Sequence, residues 1–562
     1  MFKKFQNAVF EGIQNPKKRN LILGATFIAF VLSVLMIAPS KMVLAKMLPG
    51  KNNDTFTIYT TLAEGSSIEQ TNRVTECVAE FIKKEKNVEN FEIFLGMGAP
   101  LDFAGLIKGS HFKNSENVAE IVVNLTKKHH RDEPSYFMVQ RIRPSIQESC
   151  TKLYDNTTIT FVEPPAGPPV LAAIVAEIYG KDADGIRELS NRVKEVFEKT
   201  DGLVDVEVMQ DEIYDTFEVE VDGTKASLSG INLKQLNDVL YLAFEGMQIA
   251  VKNSDVVNDQ IPIYLSLSLE SKKFSSKDID AIKAKLSSLK LMNSAGMMTP
   301  ITELVTIVPK NSNPMIMSKN LHQMTNVMAE TDMVSQVYPL IEARDAILKN
   351  FSDKYEIEKI GLFNLKLIDK NSKNVYELIW DGEMEVTLDT FVELGAAFIA
   401  ALVLIFLLMV VYYKSYTLSG IILLGSFLSI IGVIVGHYIM DLFVSDTFFL
   451  TATSLIGFIA LIGISSRNSL LLIDFTASLM RDNKMPKAEA IAYATATRAK
   501  PIFLTAAAII LASTLLAGDA VFGGLGVALI FGTIAAVVAS LIIVPILLYK
   551  ADLNRHFNLD DA

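Results

Sequence analysis

The chain has 562 residues, half of them apolar and a fifth charged, a balance too apolar for an ordinary soluble protein and too charged for one wholly embedded in lipid. A net charge of -11 excludes the basic face that neutralising phosphates would require, so no nucleic-acid partner is predicted. Cys77 and Cys150 have neither C-x-x-C nor zinc-like spacing, which removes redox motifs and structural zinc; whether they pair is left open.

An arm, 1–20, carries Lys3, Lys4, Lys17, Lys18 and Arg19 and leads into 21–40, about twenty apolar residues at ~1.5 Å each, enough to cross a bilayer. No clean small-residue cleavage site follows, so the segment is read as a retained span and not a signal peptide. A strand is predicted at 55–61, then a helix opened by Ser66 with Glu69 three residues on, a capping-box spacing. Strands at 91–95 and 119–124, a helix at 136–151 and a strand at 158–162 complete a β-α-β-β-α-β order, the ferredoxin-like split unit. The proline-rich 164–169 ends it. The pattern restarts with strand 172–179, helix 185–199 and strand 204–209, and resumes downstream with strand 324–330, helix 334–349 and strand 355–361. Between these halves lies an inserted segment with a helix at 234–244 and a period-two strand from Ile261 to Leu269.

Five further apolar stretches follow, at 394–412, 418–440, 450–475, 502–518 and 525–549. Lys414, Arg481, Lys484, Lys487, Arg498, Lys500, Lys550 and Arg555 fall on the side of the basic arm, whereas the opposite loops, 437–449 and 519–524, contain no Lys or Arg. That bias predicts six crossings, both termini cytoplasmic and the large insert outside the cytoplasm.

Trp380-Asp381-Gly382-Glu383, Gly457-Phe458-Ile459-Ala460-Leu461 leading into Arg467-Asn468-Ser469, and Arg498-Ala499-Lys500-Pro501-Ile502-Phe503-Leu504-Thr505 make the chain resemble the resistance-nodulation-division (RND) efflux permeases over essentially its whole length. The resemblance implies an α-helical membrane protein of one plus five transmembrane helices, with a first porter subdomain at 41–168, a second at 169–211 plus 312–393, and a docking subdomain at 212–311. The bundle is then 394–549 and the cytoplasmic tail 550–562. It further implies the carboxy-terminal half of a split permease in the bacterial inner membrane, with a large periplasmic domain. Its partners would be a separately encoded amino-terminal half, further copies in a trimer, a periplasmic adaptor and an outer-membrane channel. In the family the fourth span of the first half carries paired aspartates; the equivalent span here carries Arg467, where drug exporters have a lysine. Arg498 and Thr505 match family positions near the same relay. The energy source implied is the proton motive force, with no bound cofactor.

An Arg near mid-bilayer calls for a carboxylate partner. Arg467 lies about eight residues, ~12 Å, inside the predicted end of its span, and snorkelling to the interface is the bland alternative. Glu393 and Asp474 are the acids predicted within the membrane; both lie near span ends, so the partner is expected on another polypeptide. Thr505 can relay a proton or bond its own backbone, Arg498 can be relay or boundary anchor, and Asn468 bridges helices in either case. Met297, Met298, Met315, Met317, Met324, Met328 and Met333 raise a soft-metal hypothesis, but their spacing favours apolar packing and no metal site is predicted. His129-His130 reads as a solvated turn. No nucleophile-base constellation or phosphate-binding loop is present, which disfavours an enzyme. The leading expectation is a half-subunit of a proton-driven exporter of small amphiphilic substrates; the alternatives are a non-transporting scaffold or sensor on the same fold, and a lipid- or polypeptide-handling relative.

Overall fold

A computed structural model describes residues 2–37, 40–165, 167–256, 260–272, 278–332, 334–444 and 447–553. Met333 of the methionine set and residues 554–562 of the expected tail lie outside the described residues. Among those described, six helices are long and apolar enough to cross a membrane: Pro16–Ile37, Glu383–Tyr413, Tyr416–Phe443, Ala452–Arg481, Lys487–Ala517 and Gly523–Lys550. They are called the first to sixth spans below. The second, fourth and fifth extend well beyond the predicted stretches, because hydropathy marks only the apolar part of a helix whose backbone bonding continues into polar flanks. The second span therefore begins at Glu383, not 394, and the third runs to Phe443, which places His437 inside a helix and not in a loop. Glycines let the third and sixth spans touch: a Cβ on Gly432 would lie 2.3 Å from the Phe531 carbonyl.

Ahead of the second span stand two α/β layers. Strands Thr55–Thr61, Val88–Leu95, Val118–Leu125 and Thr158–Val162 form an antiparallel sheet in the spatial order second, third, first, fourth. Helices Ile68–Ile82 and Ser135–Cys150 bury Val74, Val78, Ile142 and Ile146 against Phe56, Ile58, Ile121 and Val123. The capping box sits one residue later than predicted, on Ser67 and Gln70. Cys77 and Cys150 form a disulfide that joins the two helices.

The second sheet has seven strands. Ile174–Tyr179 lies at its middle, between His322–Thr331 on one side and Val375–Asp381 on the other. Leu203–Val208 and Met317–Lys319 both pair with His322–Thr331. The strand expected to close the unit, Tyr355–Ile360, is instead the outer edge, reached through Asn364–Asp369. Val375–Asp381 takes the inner place, where its alternate residues Tyr376, Leu378 and Trp380 join the core packed on helices Ala183–Glu198 and Val337–Asn350. One residue, Gly382 at φ 86°, separates this strand from the second span. A Cβ there would meet the Ala172 carbonyl at 2.5 Å, so both the left-handed backbone and the close approach require glycine.

Asp211–Met315 is a separate compact unit. Strands Asp215–Val221 and Val305–Asn311 pair across it, and Leu236, Leu291, Ile301 and Leu304 centre its core. Its hairpin Met247–Lys252 with Ile261–Leu265 is exposed at every residue. The predicted strand to Leu269 stops at Leu265, and a short helix, Leu269–Lys272, follows after Ser268 accepts backbone hydrogen bonds from Ser271 and Lys272.

Candidate functional site

The fourth span is started by Thr451, whose hydroxyl accepts from the Ser454 N–H in a reciprocal cap. Its inward face buries Ser465, Ser466, Asn468 and Ser469, while Gly463, Arg467 and Leu471 fall on the opposite, uncovered face. Arg467 is fifteen residues from Ala452 (467 − 452) and fourteen from Arg481 (481 − 467), so at ~1.5 Å per residue it sits ~21 Å from either helix end. The sequence estimate of ~12 Å was short because the helix continues past Phe475. Arg467 makes no hydrogen bond or ion pair with the described residues.

Asp474 lies seven residues on (474 − 467), two turns along and on nearly the same face, ~10 Å from Arg467 in rise. Its carboxylate accepts from the Tyr413 hydroxyl at 2.6 Å and more weakly from Tyr412 at 3.4 Å, both at the end of the second span. These tyrosines escaped the sequence reading; their one signal was an aromatic pair closing an apolar run. Arg498 is half-buried and lays its guanidinium over the Phe475 ring, 5.1 Å from the centroid, beside Asp474, and its Nε is enclosed without a partner. Thr505 shares a helix face with Arg498 and donates to its own helix, to the Pro501 and Ile502 carbonyls at 3.1 and 3.0 Å. No hydrogen bond among the described residues joins Asn468 or Thr505 to Arg467.

His437, fully buried, was also missed. Its Nδ1 lies 2.8 Å from the Val433 carbonyl and its Nε2 2.8 Å from the Ser454 hydroxyl, which ties the third span to the cap of the fourth.

Outside the bundle, a cavity of about 180 Å³ opens where the two α/β layers, the linker between them and the start of the second span meet; Lys46, Lys108, Tyr136, Glu163, Glu330 and Glu383 line it. Lys108 pairs with Glu330 at 2.8 Å and donates to the Leu171 carbonyl at 2.7 Å. Glu163 has one carboxylate oxygen shut off from solvent without a partner. Burial pushes its carboxyl up to about 7, against the pull of Arg143. The neighbouring segment 97–112 exposes Met97, Leu101, Phe103, Leu106, Ile107 and Phe112.

Swarming motility protein SwrC of Bacillus subtilis strain 168 is 22% identical over 94% of this chain and 46% of its own length. Multidrug export protein AcrF of Escherichia coli K12 is 22% identical over 94% of this chain and 47% of its own. The chain thus spans about half the length of these curated relatives. A crystal structure of a heavy metal efflux pump superposes with a TM-score of 0.72 at 18% identity, over 97% of this chain and 52% of that one, a likeness of fold. The match to the AcrB/AcrD/AcrF family runs from residue 15 to residue 552, and the chain belongs to that family of RND permeases.

Proposed function

We propose that this chain is one half of a proton-driven RND exporter of small amphiphilic substrates, and that a complementary half supplies the carboxylate for Arg467. The observation that carries the reading is Arg467 itself, at the middle of a 30-residue apolar helix, on the face the chain leaves uncovered, with no partner among the described residues. A cation there costs several kcal/mol unless an acid faces it. An ionised partner offsets that cost and a protonated one does not, so proton uptake shifts the helices between two arrangements. Asp474, farther along the same helix, and Arg498, on the fifth span, extend the polar path toward the side we read as cytoplasmic.

The two α/β layers are then porter subdomains outside the cytoplasmic face of the inner membrane, and Asp211–Met315 a docking unit toward an adaptor and an outer-membrane channel. The apolar hairpin of that unit suits assembly as a trimer, because exposed strands of this kind add to a neighbour. Exposed apolar residues of 97–112 beside a partly charged cavity suit molecules with a polar head and an apolar body. The test is substrate efflux by Arg467→Ala at matched membrane abundance with the complementary half present. Export should be lost, and Arg467→Lys should keep part of it. Undiminished efflux by Arg467→Ala would refute the coupling role.

A further inference from the structure

The amino-terminal helix Phe2–Gln14 lays Phe5 against the fifth and sixth spans, where Ala499, Ile502, Ala506, Val537 and Leu541 receive it. Beside Phe5 runs a groove of about 290 Å³ whose lining is wholly apolar and includes Phe503, Ala507, Ile510, Ile534 and Ile542. The alanines make the recess, since larger side chains there would fill the space between the two helices.

Three observations bear on what occupies it. At about 100° per residue, Phe503, Ala507 and Ile510 fall within about 60° of one another, while Arg498 and Thr505 point roughly 160° away. The groove therefore faces away from Arg498 and Thr505. From Lys500, exposed at one end, to Ile510 is ten residues (510 − 500). That is ~15 Å of helix, half of a ~30 Å hydrocarbon core and so the depth of one leaflet. Lys500 stands on the groove's side of the helix, Lys3 and Lys4 directly precede Phe5, and neither 2–10 nor 498–510 contains an acid, so within these stretches the charge at that end is basic only.

We propose that this groove binds one acyl chain of an anionic phospholipid from the leaflet on the basic side, its phosphate at the end marked by Lys4 and Lys500. The inference depends on these helices lying in a membrane and not on the export reading. Each lysine near the headgroup is expected to favour an anionic lipid roughly fivefold, so the pair together favours it roughly tenfold or more over a zwitterionic lipid.

The test is native mass spectrometry of the full chain in detergent, titrated with phosphatidylglycerol or phosphatidylcholine of identical chains. Wild type should retain phosphatidylglycerol roughly tenfold better. The double variant Lys4→Gln/Lys500→Gln should retain both lipids equally. Ala507→Trp, and independently Ile534→Trp in case the first disturbs folding, should lose both, with the fluorescence of the single tryptophan, Trp380, unchanged apart from the added ring. Equal retention of the two lipids by wild type, or full phosphatidylglycerol occupancy in both tryptophan variants, would overturn the proposal. So would a photocrosslink from Ala507→Cys to another polypeptide in native membranes, which would assign the groove to a protein helix.

Discussion

Glu163 is the carboxyl whose environment is most open to a direct thermodynamic test. It ends the first α/β layer, immediately before Pro164, whose carbonyl accepts from Asn53 at 2.7 Å. Burial raises it from 4.5 to about 7, with Arg143 and Lys46 pulling the other way and Glu330 adding to the rise. The folded protein thus holds this proton more tightly than the unfolded chain. Its contribution is fully present below pH 4.5 and is lost as the pH rises through 7. At ~1.4 kcal/mol per pH unit between those values, the carboxylate disfavours folding by about 3 kcal/mol at pH 8 and by less than about 1 kcal/mol at pH 5. Glu163→Gln keeps the shape and removes the titration, so it should stabilise the protein by about 3 kcal/mol at pH 8 and change it little at pH 5. Trp380, the single tryptophan, provides the readout: it is buried in the seven-stranded layer, stacked 6.0 Å from Phe197, with its indole N–H donating to the Phe363 carbonyl at 3.2 Å. Its fluorescence should report a variant melting several degrees above wild type at pH 8 and nearly with it at pH 5. Identical melting of the two proteins at pH 8 would refute the reasoning.

Arg143 bridges the two α/β layers, with Asp205 and Asp332 each at 3.3 Å; Asp205 also accepts from Gln147 at 2.8 Å and from the Phe161 N–H at 3.0 Å. Arg143→Met should cost about 3–5 kcal/mol by leaving Asp205 buried without its counter-charge, and adding Asp205→Asn should restore part of that in the same fluorescence melt. Cys77→Ser opens a cross-link between residues 73 apart, and should lower stability by about 2–5 kcal/mol in denaturant titrations under oxidising conditions. Thr505→Val should leave efflux near wild type, because the hydroxyl bonds only its own helix; a fall to the level of Arg467→Ala would assign it a relay role.

Much of the fold was legible where local pattern and tertiary role coincide. The order of strands and helices in the first layer follows from alternating and helical apolar spacing, because each element hides one face on one core. Pairing was less legible: nothing local tells whether Tyr355–Ile360 or Val375–Asp381 lies beside Ile174–Tyr179, since both alternate apolar residues and the choice depends on contacts far apart in the chain. His437 misled because a lone polar residue near the end of an apolar run reads as a loop, whereas a backbone carbonyl and a serine hydroxyl satisfy it inside the helix. Period-two spacing continued to Leu269, but Ser266 and Ser268 were turn residues that spacing alone does not weigh. For the candidate site, Arg467 was legible as a misplaced charge, while the tyrosines that hold Asp474 were not, because their partner is 61 residues away for Tyr413 and 62 for Tyr412.

The single-residue junction at Gly382 leaves no slack between sheet and membrane. The strand Val375–Asp381 is clamped on both edges, and the 31-residue helix that follows behaves as a rigid rod. Pivoting that rod by about 5° displaces its far end, ~46 Å away at 1.5 Å per residue, by about 4 Å. Conversely, a few ångströms of sliding where Tyr413 grips Asp474 arrives at the sheet as a small rotation of Val375–Asp381, transmitted as by a crank with one joint.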